Sequence, residues 1–351
     1  MASGFCDGPL GSERSVPSQN GGSPAGRSFP EASSRPGRFG DSGKVARSAG
    51  AVEALLAKCV FPPAGTAVTC AVSGGADSLA LLVLAGAAGL DVTAVHVDHG
   101  LRSGSATEAD IVQRAADRFG ATFRSVAVEL ADGPNLEARA RTARYSALPA
   151  GVCTGHTADD QAETVLLNLL RGAGSTGLAG MRPGPRRPLL AVRRAETVAL
   201  CAAVGLNPVQ DPSNADPRFR RNRVRHELLP LLDDLAGRDV VPVLCRQADL
   251  LRDEADLLGV LAAEVDVRDA RSLRDAPVAL ARLAVRAWMG SGPATEHPPD
   301  AATVERVLAV ARLEAGAADV GAGWRVTRSA GVLRLEGPAR SDSDLALGDA
   351  K

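Results

Sequence analysis

The 351-residue sequence predicts an α/β protein: a doubly wound parallel sheet with a second, smaller, mainly helical domain. Three observations carry that prediction. Apolar runs of strand length alternate with helical patterns from Val45 to Leu170; the first strand passes through a serine-glycine turn straight into a helix; and helical periodicity dominates after Asn222. Segments such as "AVTCAV" (67–72) and "VTAVHV" (92–97) are near-continuous apolar runs, as strands covered by helices on both faces must be.

The elements follow in chain order. Gly, Ser and Pro fill 22 of the first 42 positions without apolar periodicity, so residues 1–44 are expected to be a disordered leader. That stretch lacks the apolar centre of a secretory signal, and Asp7, Glu13, Glu31 and Asp41 argue against an organelle transit peptide. Next come a helix over 45–58, a strand Ala67–Val72, a helix Ser78–Ala88, a strand Val92–Val97, a helix Thr107–Phe119 and a strand Thr122–Val128. A helix over 136–148, a strand near Val152 and a helix over 159–170 complete the first run. Beyond a Gly-, Pro- and Arg-rich stretch to Arg187, helices are expected at Ala195–Val204, Asn222–Leu235, Val240–Ala263, Pro277–Met289 and Ala301–Ala311, with a short strand at Trp324–Thr327. The expected organisation is a first domain over 45–235, a smaller one over 240–336 and a disordered tail over 337–351.

Composition narrows the function classes. Forty basic residues against 41 acidic ones give no overall sign of a nucleic-acid partner. Locally the balance differs: ten arginines lie between Arg182 and Arg225 against Glu196, Asp211 and Asp216, a concentration suited to a phosphate backbone. The six cysteines are far apart and form no C-x-x-C pair, which points to a reducing cytoplasm without a zinc or iron-sulfur site. No apolar run is long enough for a membrane span.

The turn Ser73-Gly74-Gly75-Ala76-Asp77-Ser78 is the first chemical signal. A glycine turn lets backbone N–H groups approach phosphate oxygens, and the following helix aims its positive end at the same place. The Walker A loop is excluded because its lysine is missing, and the G-x-G-x-x-G spacing is missing too. Asp77 would repel a polyphosphate unless a divalent cation lay between them, and Mg2+ is the cation that one or two carboxylates share with substrate phosphates. The loop therefore predicts Mg2+ and ATP, with Asp77 on the metal. His96, Asp98 and His99 also lie at a strand end, but H-x-D-H on a strand alternates sides, which argues against a metal site. In "GHTADDQAET", Thr157 and Asp160 have capping-box spacing, while Ala162, Val165, Leu166, Leu169 and Leu170 define a buried stripe. Asp160 then falls on the opposite face and Glu163 at its flank, a polar cluster with His156 at the mouth of the sheet.

The turn resembles the signature of the PP-loop, or N-type, ATP pyrophosphatases, which cleave ATP between the α and β phosphates and adenylate a carbonyl oxygen. Four further stretches extend the likeness: "HVDHGLR" (96–102), "NLEARARTARY" (135–145), "GHTADDQAETVLLNLLRGAGSTGLAGM" (155–181), and "DPSN" (211–214) with "RRNRVRHELLPLL" (220–232). Together they make residues 67–232 similar to the tRNA(Ile)-lysidine synthase family, in its short form.

The resemblance implies ATP and Mg2+ as cofactors, with Ser73, Gly74, Gly75, Ala76, Asp77 and Ser78 on the phosphates and His96, Val97 and Asp98 at the adenine. It implies that Glu137 and Arg141 face the nucleotide and target base. His156, Asp160 and Glu163 would stand at the active centre, where a carboxylate helps hold lysine or Mg2+. Arg171, Arg221 and Arg225 would meet the tRNA, and Trp324, Arg325 and Arg328 are further RNA candidates, Trp324 being better suited to a core. The implied activity joins free L-lysine to C2 of the wobble cytidine in the CAU anticodon of tRNA(Ile), releasing AMP and pyrophosphate. A tRNA thiolase, a small-molecule amide ligase and a non-catalytic nucleotide-binding module are the rival readings. A homodimer is compatible with the sequence but not specified by it.

Overall fold

Three parallel strands, β1 (Ala67–Ala71), β2 (Asp91–Asp98) and β3 (Thr122–Ala127), lie side by side in the order β1-β2-β3. Ala67 pairs with Asp91 and Thr93 with Thr122, so the sheet has the expected parallel register. The computed structural model describes residues 42–98, 105–128, 143, 146–291 and 299–338. The helix expected over 136–148 therefore falls largely outside the described residues, as do the leader and most of the tail. The strand expected near Val152 is reduced to one parallel bridge, Cys70 with Cys153, in which each of two backbone bonds joins Cys153 to β1.

The chain thus runs outward from β1 to β2 and β3, then returns to the other side of β1 at Cys153. That reversal makes the carboxyl end of β1 a topological switch point, where the loops after neighbouring strands diverge and leave a crevice.

Helix α1 (Ser42–Leu56) precedes the sheet, and α2 (Ala76–Ala87) and α3 (Ser105–Arg118) make its crossovers. Every residue of α2 from Ser78 to Ala85 is buried. A helix apolar on all sides must be covered on all sides. The sheet covers one face, and α5 (Arg194–Ala203) covers the other through Leu200 and Cys201. Burying Leu79, Leu81, Leu82 and Leu84 contributes about 1.5–3 kcal/mol per side chain.

Helix α4 (Ala158–Leu170) departs from the expected stripe. Ala158, Ala162 and Leu166 pack against Val224, Leu229 and Val241, but Leu169 and Leu170 are 56% and 70% exposed. The last turn of α4 runs past these partners before the chain reverses at Gly172, which has a φ of 75°. Asp160 and Glu163, placed by periodicity away from the buried stripe, are themselves buried. Their burial is explained by charge pairing, which periodicity does not encode.

Downstream, an α-turn (Arg220–Arg223), a π-turn (Val224–Leu228) and α6 (Leu229–Ala236) run on without a break. Pro230 explains the widened turn, because its ring has no N–H and clashes with the carbonyl four residues back, at His226. The long α7 (Val241–Ala263) packs against both α4 and α8 (Val278–Gly290).

A second domain is built from α8, α9 (Ala301–Ala311) and an antiparallel meander, β4 (Ala317–Gly321), β5 (Trp324–Ser329) and β6 (Val332–Glu336). Its own core includes Val285, Met289, Val307, Leu308, Val326 and Leu333, with Trp324 packed at the edge. Only β5 was legible as a strand. No helix among the described residues is long and apolar enough to cross a membrane.

Candidate active site

The turn after β1 braces itself. Gly74 has a φ of 85°, a conformation that side chains with a Cβ disfavour, and Gly75 is the extended residue that starts α2. Ser78 Oγ donates to the Gly75 carbonyl at 2.9 Å and accepts from the Ser73 N–H at 3.1 Å. Beside it, His96 Nδ1 lies 3.0 Å from the Val72 carbonyl, tying the end of β2 to the end of β1. His96 is buried in this role, and Val97 and Asp98 continue the paired strand.

The loop after Cys153 closes the other side of the crevice. A Cβ on Gly155 would lie 2.7 Å from the Asp77 carbonyl oxygen, so only glycine permits this approach. Thr154 Oγ1 sits 2.7 Å from His156 Nδ1. Asp160 Oδ2 accepts from the Thr157 N–H at 2.9 Å and from its hydroxyl at 3.0 Å, so the predicted capping box forms at the start of α4.

Asp77, Asp160 and Glu163 converge on one guanidinium. Arg194 Nε lies 3.1 Å from Asp77 Oδ2, its Nη2 is 2.8 Å from Asp160 Oδ1, and its Nη1 is 3.1 Å from Glu163 Oε1. Thr197, one turn along α5, donates its hydroxyl to the other oxygen of Asp77. The fully buried Glu163 also takes Arg221 Nε at 2.6 Å and Arg225 Nε at 2.6 Å, and Arg221 Nη2 reaches Asp160 at 3.2 Å. Three carboxylates and three guanidiniums therefore balance in one partly dehydrated cluster, where leaving any one unpaired would be costly.

Their titration differs. Burial pushes the Asp77 carboxyl above its ordinary value, outweighing Arg194 and Thr197. Burial also pushes on Asp160, but Arg194, Arg221 and the Thr157 N–H prevail and hold it below the usual carboxylate range. Asp159 follows the same pattern: burial is outweighed by Arg193 and by the Arg194 N–H and charge.

Arg194 and Thr197 were not singled out from the sequence, although one signal was available. Arg193 and Arg194 stand at the start of α5, where the helix dipole disfavours cations. Carboxylates from distant segments compensate: Asp159 accepts from Arg193 Nε at 3.1 Å and from the Arg194 N–H at 2.7 Å. The "DPSN" segment has a capping role. Asp211 Oδ1 accepts from the Ser213 N–H at 2.8 Å, and Asn222 Nδ2 donates to the Ser213 carbonyl at 2.7 Å, fastening that turn to the arginine run.

The arginine concentration also changes meaning in three dimensions. Arg182, Arg193, Arg194, Arg218, Arg221, Arg223 and Arg225 all hold carboxylates, most of them supplied from outside the 182–225 stretch. Arg186, Arg187 and Arg220 have no ion pair among the described residues, nor does Arg171, which is exposed at the end of α4. Glu137 and Arg141 lie outside the described residues.

The PP-loop domain family model matches residues 49–232. A tRNA(Ile)-lysidine synthase of Nocardia farcinica (strain IFM 10152) is 42% identical over 302 residues, covering 80% of this chain and 95% of its own length. The chain belongs to the tRNA(Ile)-lysidine synthase family. The synthase of Mycobacterium leprae (strain TN) is 44% identical over 244 residues, covering 64% of this chain and 75% of its own. Among solved structures, the U34-tRNA thiolase NcsA of Methanococcus maripaludis matches at 17% identity and a TM-score of 0.44, over 60% of this chain and 80% of its own.

For this lysidine synthase family member, the Mg2+ question turns on donor chemistry. No trio of His, Cys, Asp and Glu among the described residues is placed to hold a metal alone. Mg2+ does not need one, since it takes one or two carboxylates together with phosphate oxygens and water. Asp77 fits that pattern: it stands in the first turn of α2, within the turn Ser73–Ser78, and among the described residues each of its oxygens accepts a single bond, leaving capacity for a cation.

Proposed function

We propose that this protein joins L-lysine to C2 of the wobble cytidine in the CAU anticodon of tRNA(Ile), consuming ATP and releasing AMP and pyrophosphate. One observation carries the reading. Asp77 of the turn Ser73–Ser78 shares the Arg194 guanidinium with the buried carboxylates Asp160 and Glu163 at the sheet's switch point, in a chain 42% identical to a tRNA(Ile)-lysidine synthase over 95% of that relative.

In this reading the N–H groups of residues 73–78 and the amino end of α2 hold the phosphates, which fixes the α-phosphorus for attack by the cytidine C2 oxygen. Asp77 would hold Mg2+, which when bound supplies positive charge to the departing pyrophosphate. The ends of β2 at His96, Val97 and Asp98 border the adenine, and Glu137 and Arg141 belong to the nucleotide and base side. His156, Asp160 and Glu163 border the point where the lysine amine arrives; removing a proton from its ammonium makes it the nucleophile that displaces AMP. Arg171, Arg221 and Arg225 belong to the tRNA side. Residues 45–235 would form the catalytic part and 240–336 the tRNA-facing part, in the cytoplasm.

The cysteines favour this reading over a thiolase. Burial pushes the thiols of Cys59 up to about 12, and those of Cys201 and Cys245 up to about 11. Cys70 and Cys153 are buried within the sheet. A sulfur carrier needs an accessible thiolate, whereas among the described residues Cys70, Cys153 and Cys201 are buried and Cys59 and Cys245 half-buried.

The deciding experiment incubates the protein with ATP, Mg2+, labelled lysine and bulk tRNA. Label should enter tRNA with equal release of AMP and pyrophosphate. ATP cleavage without lysine transfer would overturn the reading in favour of another PP-loop chemistry.

A further inference from the structure

We propose that Arg194 is a placeholder cation, occupying the charge position that Mg2+ takes when nucleotide binds, and that Asp77 changes partner from Arg194 to the metal in that step. The inference rests on the Mg2+ and ATP reading above and concerns a residue that neither the turn nor the motifs single out.

The geometry supports it in three ways. First, the Arg194 guanidinium spends all three of its nitrogens on three different carboxylates, Asp77, Asp160 and Glu163. Second, those carboxylates are not equally bound. Glu163 keeps Arg221 and Arg225, and Asp160 keeps Arg221 and Thr157, whereas among the described residues Asp77 would retain only the Thr197 hydroxyl without Arg194. Asp77 is thus the group that another cation can take from Arg194 without unpairing the rest. Third, the cluster's charges already balance, so a divalent cation arriving alone would meet an uncompensated guanidinium. A cation arriving with the negative phosphates of ATP would not, because the freed Arg194 edge then faces those phosphates.

The consequence is metal binding contingent on nucleotide: Arg194 suppresses binding of the bare cation and yields to the complex. Thr197 keeps Asp77 oriented through the exchange.

Two measurements test this. Mn2+ binding to the nucleotide-free protein is followed by electron paramagnetic resonance. Wild type should bind Mn2+ weakly, Arg194→Gln at least about tenfold more tightly because three carboxylates lose one shared cation, and the double variant Arg194→Gln with Asp77→Asn should return to the wild-type level. Equal Mn2+ affinity in wild type and a folded Arg194→Gln overturns the proposal. The second measurement is read on the wild type and uses the conservative Arg194→Lys variant for assignment alone. In 15N-arginine-labelled wild type, assigned with Arg194→Lys, the Arg194 Nε–H resonance should shift on adding ATP with Mg2+ but not on adding Mg2+ alone. An unmoved resonance in protein that still cleaves ATP removes the placeholder role and leaves the enzymatic reading standing. Protein that neither binds nor cleaves ATP removes that reading itself.

Discussion

Asp77 Oδ2 and Arg194 Nε meet at 3.1 Å although 117 residues separate them in the chain. The contact joins the first turn of α2 to the first turn of α5, and the two helices pack along their length beneath it. The turn Ser73–Ser78 is therefore held by a charged pair as well as by its own serine bonds.

Asp77→Asn should reduce pyrophosphate release from ATP by about 100-fold or more, as loss of a charge-stabilising group at a reacting phosphate typically does. Its effect on stability should depend on pH. The folded-state pKa of Asp77 is raised, so the favourable contribution of its protonated form is complete below the unfolded value and is lost as pH rises through the folded one. Urea unfolding of wild type and variant across that window should show the variant gaining on wild type as pH rises. A difference constant with pH would contradict the burial-driven shift.

Asp159 and Asp160 should show the reverse. Their folded values are depressed, so the stability they contribute is present above the ordinary carboxylate range and is lost as pH falls through the depressed values. Asp159→Asn should flatten the acid limb of the stability profile, since the Arg193 and Arg194 bonds no longer depend on a titrating group. Acid unfolding followed by circular dichroism reads this directly.

Glu163→Gln should be severe for a residue no solvent touches. It takes from Arg221 and Arg225 their closest buried counter-charge, leaving them Asp160 alone among the described residues, and breaking one side of such a pair costs about 3–5 kcal/mol. Equilibrium unfolding in urea measures the loss. A cost within a few tenths of a kcal/mol would show that the cluster is wetter than its burial indicates.

The difference between these residues and their sequence setting shows what was legible. The parallel sheet, the turn after β1 and the helix that follows announce themselves because apolar periodicity and glycine placement are local properties, fixed within a few residues. Leu169 and Leu170 fit the same periodic stripe as Leu166 yet are exposed, because the sequence does not say where a packing partner ends. Strand β4, with Gly321 and Asp319 in five residues, carries too weak a strand pattern to stand out, and it forms because β5 pairs with it. Arg194 was missed for a related reason: its three carboxylates come from two distant helices, and only the odd placement of cations at a helix start hinted at them.

Arg171, Arg221 and Arg225 should separate in tRNA binding. Arg171 is exposed and has no ion pair among the described residues, so Arg171→Ala should weaken tRNA binding and lower the salt slope by about 0.7–0.9 per lost phosphate contact, with unfolding unchanged. Arg221→Ala and Arg225→Ala should lower stability first, because both guanidiniums are committed to Glu163. Filter binding over a salt series, beside urea unfolding, distinguishes the two behaviours. Equal salt slopes for Arg171→Ala and wild type would remove Arg171 from the RNA surface.

Gly155→Ala tests the narrow crevice itself. The added methyl would meet the Asp77 carbonyl oxygen at 2.7 Å and its carbonyl carbon at 2.8 Å, and both are backbone atoms that cannot rotate away. Either the loop or the start of α2 must move, at an overpacking cost of about 1–3 kcal/mol. Movement of α2 displaces the phosphate turn, so the KM for ATP should rise more than the fold weakens. Gly174→Ala is the control, since a Cβ there meets nothing within 4 Å and its φ is −77°; it should stay within about 0.5 kcal/mol of wild type. ATP affinity by calorimetry, set beside urea unfolding of both variants, decides the matter. A Gly155→Ala protein that binds ATP as wild type does would mean the two loops yield independently and that their contact does not set the phosphate turn.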